Sequence, residues 1–236
     1  MKKTDLKDFL LSGRILNLLG KRKYFSLEDV HSVLPSRYSS LKQATLNHYL
    51  VDLMKQGNVH GAGRGWYSVI AQPFEADRTA VQELIALIGK KYPLLTFSSW
   101  STEQLKMHMH HMLSKFVTFL FTDRDSMASV YDFLKDAGYD AWLNPRGKDA
   151  GRFVIGKKTV VIRPSISREP VDGHVARIEK ILVDLLVEAR ELKLMDVEEC
   201  YRVRSNVLES GRVDIATLLS YAKRRKLRVE KGSFMV

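Results

Sequence analysis

Between Ser26 and Ile70 the chain runs SLEDVHSVLP, then SSLKQATLNHYLVDLMKQG, then NVHGAGRGWYSVI, and no other stretch constrains the fold as strongly. Ser26 suits an N-cap, and Glu28 and Asp29 follow in the first turn, where acids complement the helix dipole. Leu27, Val30, Val33 and Leu34 give this helix an apolar side, and Pro35 helps to stop it. Ser39 or Ser40 can cap a longer helix in which Leu46, Tyr49, Leu50, Leu53 and Met54 recur at helical spacing. At about 100° per residue from that stripe, Ala44, His48, Val51 and Lys55 face away, with Thr45 and Asn47 on the shoulders. Gly57 ends the helix, and Asn58 to His60 with Trp66 to Ile70 form a hairpin around Gly61, Gly63 and Gly65. An earlier helix, Ser12 to Gly20, precedes the unit.

A short helix, a turn, a longer helix and a glycine-tipped hairpin are the parts of a winged helix-turn-helix, which sets its second helix in the DNA major groove. The polar leading face of that helix carries Lys42, Gln43, Ala44, Thr45, Asn47 and His48. Amide side chains pair with adenine edges, and small or basic groups approach bases and phosphates. Arg64 at the hairpin tip is suited to phosphate or the minor groove, and the flanking glycines would let the backbone come close. Arg22, Lys23 and Arg37 are further phosphate candidates. The GxGxG of the tip lacks the following helix of a nucleotide loop.

Charge agrees with a polyanion partner. The chain of 236 residues carries a net +11, and residues 1–72 hold eleven Lys and Arg against five acids. A second basic cluster, Lys223, Arg224, Arg225, Lys226, Arg228 and Lys231, stands beside Glu230 alone, and reads equally as a solvated face or a partner surface. A 45% hydrophobic and 28% charged composition suits a globular protein, and no run reaches the roughly eighteen apolar residues of a membrane span. The N-terminus, MKKTDLKDFLLSGR, is interrupted by Asp5 and Asp8 and does not read as a secretory signal. With one cysteine, Cys200, an internal disulfide or multi-cysteine zinc site is excluded, and the expectation is a cytoplasmic protein.

From residue 73 onward the pattern alternates: a helix at Thr79 to Lys90, a strand at Leu94 to Phe97, and a helix from Ser101 through His111. A strand at Lys115 to Phe121, a helix at Ser126 to Ala137 and the strand YDAWLN follow, a β-α-β arrangement. Phe153 to Ile155 and Thr159 to Ile162 read as a hairpin around Gly156, Lys157 and Lys158. Val175, Ile178, Ile181, Leu182, Leu185, Leu186 and Leu192 make one long amphipathic stripe, and helices near Asp196 to Leu208 and Asp214 to Arg225 close the chain. The expected fold is mixed α+β or α/β: a winged helix-turn-helix domain at 1–72, then a larger α/β domain at 73–236 ending in helices.

Chemistry finds little footing. His108 and His111 could share a helix face, but HExxH and a cysteine partner are lacking, so no metal is expected. Asp123 and Asp125 follow a strand, where catalytic carboxylates sit, yet they suit a strand-to-helix turn with Asp125 as N-cap. There is no GxSxG elbow, no phosphate loop and no nucleotidyltransferase-like aspartate pair after a glycine-serine turn. No catalytic residue and no cofactor is assigned. A metal-dependent nucleic-acid enzyme built on Asp123, Asp125 and the histidines is the rival in that class. A plain regulator is the other rival, its larger domain dimerising through the Ile178 to Leu192 stripe or sensing a ligand.

Taken together, RGWYSV closing the hairpin, LLTFSSWSTEQLKMH opening the middle region and DIATLLSYAKRRK near the end resemble the abortive-infection antitoxin family of type AbiEi. The resemblance spans most of the chain and implies an antitoxin of a phage-defence toxin–antitoxin operon. It implies a winged helix that represses that operon through inverted repeats in double-stranded operator DNA. It also implies a C-terminal domain opposing a nucleotidyltransferase-type toxin. Lys42 to His48 and Arg64 fall where the family's helix and wing meet DNA, and Lys223, Arg224 and Arg225 in a basic stretch of the antitoxin half. A homodimer is a further partner consistent with inverted repeats.

Overall fold

The structure, a computed structural model, describes residues 14–38, 41–110 and 114–228. Its contacts divide the chain into two compact units, neither of them one continuous stretch. The first takes in residues up to Phe74 and Val207–Ser220, and the second takes in Glu75–Asn206 and Tyr221–Leu227. The fold is mixed α+β with helices at the C-terminal end. Among the described residues no helix is long and apolar enough to cross a membrane.

In the first unit the order is helix α1 (Arg14–Leu18), strand β1 (Tyr24–Ser26), helix α2 (Leu27–Ser32), a 3-10 turn (Ser36–Tyr38), helix α3 (Gln43–Lys55), then strands β2 (His60–Gly61) and β3 (Trp66–Ser68). Ser26 caps α2 as expected: its hydroxyl accepts from the Asp29 N–H, and Asp29 accepts in return from the Ser26 N–H at 2.7 Å. The expected cap of α3 differs. Lys42 occupies the N-cap position and makes no side-chain cap bond, while Ser39 and Ser40 lie outside the described residues. The three strands form an antiparallel sheet of order β1-β3-β2. Leu46, Leu50 and Leu53 of α3 pack with Ile15, Phe25, Val30 and Val59 in a buried core, so the helical stripe read from spacing is the core face.

The rest of this unit arrives from the far end of the chain. Helix α7 (Val197–Ser210) ends in it and helix α8 (Ile215–Arg224) begins in it. The fully buried Tyr24 hydroxyl donates to the Gly211 carbonyl at 2.9 Å and accepts from the Val213 N–H at 3.0 Å. The Arg212 N–H donates to the Gln72 carbonyl at 2.8 Å, and the Phe74 N–H to the Arg212 carbonyl at 2.9 Å. These four bonds, with two more from the Arg212 guanidinium to the Ile70 and Ala71 carbonyls, fasten residues 207–220 to β1 and to the segment after β3.

The second unit is built on a six-stranded sheet of order β6-β7-β5-β4-β9-β8. Its strands are β4 (Phe97–Ser101), β5 (Val117–Thr122), β6 (Asp140–Leu143), β7 (Thr159–Pro164), β8 (Val171–Asp172) and β9 (Val175–Ala176). Helix α4 (Thr79–Lys91) precedes β4, and helix α5 (Met127–Asp136) joins β5 to β6. Leu84 and Ile88 of α4 pack with Leu120, Val130, Leu134, Val160 and Ile162. The expected hairpin of 153–162 is not formed. β7 instead lies parallel to both β5 and β6, pairing Phe119 with Val161 and Trp142 with Val161. The expected helix starts at Ser101, which caps it, but it is a 3-10 helix that ends at His108, and His111 lies outside the described residues. Helix α6 (Ile178–Leu192) is buried on nearly every side, with Ile178, Ile181, Leu182, Leu185, Leu186 and Leu192 each 5% exposed or less. Its apolar stripe is therefore core and not a free dimerisation face.

Candidate nucleic-acid interface

The leading end of α3 presents Lys42, Gln43, Ala44, Asn47 and His48 to solvent, with Thr45 half-buried between them. These side chains face outward because the opposite face of the helix is fixed in the core by Leu46, Leu50 and Leu53. Asn47 is held: its Oδ1 accepts from the Tyr67 hydroxyl of β3 at 3.2 Å. Burial pushes the Tyr67 phenol up, which keeps it a donor, and its ring stacks on Phe25 at 5.9 Å. The carboxamide is thereby oriented, and among the described residues its NH2 group has no partner. His48 lies 3.8 Å from Asp52, the one acid of α3, which also pairs with Lys55 at 3.4 Å. That acid sits in the later half of the helix, leaving the first half without negative charge.

Arg64 is exposed on the turn between β2 and β3, and among the described residues it has no ion pair or hydrogen bond. The glycines around it are not equivalent. Gly63 has φ +97, and a Cβ built on it would stand 2.1 Å from Asp214 Oδ1 and 2.6 Å from Ala216 Cβ. The Ile215 N–H donates to the Ala62 carbonyl at 2.9 Å. One side of the turn is therefore closed by the start of α8, so Gly63 serves close packing and not an approach to phosphate. Gly65, at φ +76, has open space around its Cβ position.

The other basic residues are tied more closely. Arg22 pairs with Asp29 at 3.4 Å, and Lys23 with Glu209 at 3.4 Å. Arg37 is in the Ser36–Tyr38 turn, and its side chain lies outside the described residues. Of the C-terminal cluster, Lys223 is exposed, whereas Arg224 is half-buried and donates to the Arg168 carbonyl at 2.7 Å. Arg225 is turned inward, 12% exposed, 2.9 Å from Asp184 and 3.3 Å from Glu188. Lys223, Arg224 and Arg225 accordingly do not form one free basic surface. Lys231 and Glu230 lie outside the described residues.

Of the enzyme candidates, Asp123 is engaged in holding the chain. Asp123, rather than Asp125, ties the turn before α5: its carboxylate accepts from the Ser126 N–H and hydroxyl, both at 2.9 Å. Those bonds hold its carboxyl below the usual carboxylate range. The His108 carbonyl accepts from Asn206 at 2.8 Å, the His110 N–H donates to Glu199 at 2.6 Å, and burial pushes the His108 imidazole down. Among the described residues no three His, Cys, Asp or Glu side chains converge as a metal site.

Sequence reasoning missed Tyr67, Asp214 and Ile215 as supports of this surface. The pairing of Tyr67 with Asn47 crosses from strand to helix, and Ile215 comes from the opposite end of the chain, so no local spacing signals either.

The architecture thus defines a mixed α+β protein in which a small unit with a three-stranded sheet displays an exposed polar helix end. Within that class the chain belongs to the Family of unknown function (DUF6577), which it matches over residues 45–235. The match begins inside α3 and takes in both the β2–β3 turn and the second unit. No curated protein matches the chain.

Proposed function

We propose that this protein is a cytoplasmic, sequence-specific DNA-binding regulator whose first unit works as a winged helix-turn-helix, α3 entering the major groove and the β2–β3 turn following the backbone. The observation that carries this reading is the leading end of α3, where Lys42, Gln43, Asn47 and His48 are exposed together without an acid among them. The element order and the β1-β3-β2 sheet support it, as does the exposed Arg64, which is unpaired among the described residues. In this reading Gln43 and Asn47 read base edges, and Lys42 and Arg64 neutralise phosphates. Arg22 and Lys23 contribute at the periphery, after exchanging their present carboxylate partners.

The test is fluorescence anisotropy on the DNA upstream of its own gene against a shuffled duplex, from about 50 to 200 mM salt. A preference of roughly a thousandfold is expected. Equal, weak and steeply salt-dependent binding to both duplexes would reduce the charge to a generic polyanion effect and remove the proposal.

We further propose that the regulator acts as an antitoxin, repressing its own operon and opposing a nucleotidyltransferase-type toxin. This part rests on the resemblance carried by RGWYSV, LLTFSSWSTEQLKMH and DIATLLSYAKRRK. Co-expression with the toxin gene of its operon should restore growth. An operon without such a gene, or growth arrest that the chain does not relieve, would dismiss it.

A further inference from the structure

Three strands of the second unit, β5, β6 and β7, run parallel and end side by side. Just beyond their carboxyl ends is an open cleft of about 510 Å³ lined by Arg124, Met127, Asn144, Arg146 and Pro164. Open α/β sheets hold their ligands at this end, because the loops there can diverge without disturbing the ladder. The volume is within the range of small-molecule sites, roughly 300–1,000 Å³.

The lining is chemically one-sided. Arg124 is exposed on the turn after β5 and has no ion pair among the described residues. Arg146 is positioned from behind: its Nε donates to Asn144 Oδ1 at 3.3 Å, and it lies 3.3 Å from Glu191. Asn144 itself has φ +45, a left-handed conformation that asparagine adopts more readily than other non-glycine residues. It is kept there by Arg163, 1% exposed, which donates to Asn144 Oδ1 at 3.1 Å and to the Pro145 carbonyl at 2.8 Å. The loop is thus anchored in the core, and Arg146 is prepared for a ligand before it arrives. Glu191 divides its charge between Arg146 and Arg163, the latter at 3.2 Å, so the cleft keeps a net positive lining. Asp123 is engaged by Ser126 in the turn. Met127 and Pro164 supply an apolar wall.

We propose that this cleft is a binding site for a small phosphate ester of nucleoside-monophosphate size. Two planar guanidinium groups bind a phosphate through paired N–H donors better than two ammonium groups would. The apolar wall takes the organic part, which inorganic phosphate lacks. The cleft belongs to the second unit and the α3 surface to the first, so its ligand would make the second unit a sensor whether or not the first unit binds DNA.

The test is calorimetric titration of the full chain, without DNA, with adenosine monophosphate, inorganic phosphate and adenosine. Adenosine monophosphate should bind, phosphate more weakly, and adenosine not at all. Arg124→Ala and Arg146→Ala should each weaken the nucleotide by about tenfold or more. Lys135→Ala, which removes the same charge from the other end of α5, should leave it unchanged. Should either alanine variant fail to fold, Arg124→Lys keeps the charge, loses the fork and should still weaken binding. The proposal is overturned by no nucleotide binding up to about 1 mM. It is equally overturned by adenosine binding as tightly as its monophosphate, or by an affinity that ignores Arg124 and Arg146 or falls as much with Lys135→Ala.

Discussion

Gly63 shows what a single position can decide. Its φ of +97 already disfavours any side chain, and a Cβ would meet Asp214 Oδ1 at 2.1 Å and Ala216 Cβ at 2.6 Å. Gly65, two residues on, has φ +76 but nothing within 4 Å of its Cβ position. Gly63→Ala should therefore cost about 2–4 kcal/mol, a left-handed penalty plus overpacking. Gly65→Ala should cost about 1–2 kcal/mol, the conformational part alone. Equal losses in urea unfolding would mean that residues 213–216 do not press on the turn. Cys200 allows a second test at this scale. It is 1% exposed, and burial pushes its thiol up from 9.0 to about 11. The thiolate fraction near neutral pH is then about a hundredfold lower than for an unshifted thiol. Native protein should resist iodoacetamide at pH 8 and react fully in urea. Rapid labelling of the native chain would place the sulfur at the surface.

At the scale of elements, the proposed DNA binding gives α3 and the β2–β3 turn two roles that a mutation series can tell apart. Asn47→Ala and Gln43→Ala should reduce discrimination between operator and shuffled DNA, each by about 1–3 kcal/mol, with the salt slope unchanged. Arg64→Ala should weaken binding to both duplexes and lower the salt slope by about one. Unchanged discrimination in both amide variants would take α3 out of the major groove. The same helix shows why some elements were legible in the sequence. Its apolar stripe, like the Ser26 cap of α2, depends on residues within about one turn of each other, so spacing alone reveals them. β1 has only three residues, Tyr24 to Ser26, too few for any periodicity. The turn at Gly156 to Lys158 looks like a hairpin tip, and nothing local says that Thr159–Pro164 will insert between β5 and β6. The exposed face of α3 could be read from spacing, but not the closure of the β2–β3 turn by Ile215, because that bond spans most of the chain.

At the scale of the whole molecule, the second unit has charges at its centre that look from sequence like a solvated helix face. Lys180, fully buried, lies 2.7 Å from Asp184, 3.3 Å from Glu169 and 3.4 Å above the Phe121 ring. Asp184 accepts from Tyr221 at 3.0 Å and pairs with Arg225 at 2.9 Å, while Glu188 joins Arg225 to Arg163. Three cations alternate with three carboxylates, so each charge is compensated and none can be removed alone without leaving a buried neighbour unpaired. Lys180→Met should cost about 3–5 kcal/mol. Combined with Asp184→Asn it should cost less than the two single losses added, by about 0.5–3 kcal/mol. Strict additivity in urea unfolding would mean that the pair does not act as one. Glu188 adds a pH signature. Burial pushes its carboxyl up, against the opposing pull of Arg163 and Arg225. A folded value above the unfolded one gives stability that is present at low pH and lost as pH rises through that interval. Asp77, Glu83 and Asp123, whose carboxyls are held low by hydrogen bonds from Thr79, Lys158 and Ser126, act in the opposite sense. They are common to wild type and Glu188→Gln, so they cancel in the difference between the two. The stability of wild type relative to Glu188→Gln should therefore decline as pH rises from the unfolded carboxyl range towards neutrality. A relative stability that grew with pH would mean that the two arginines outweigh burial and hold Glu188 ionised in the core.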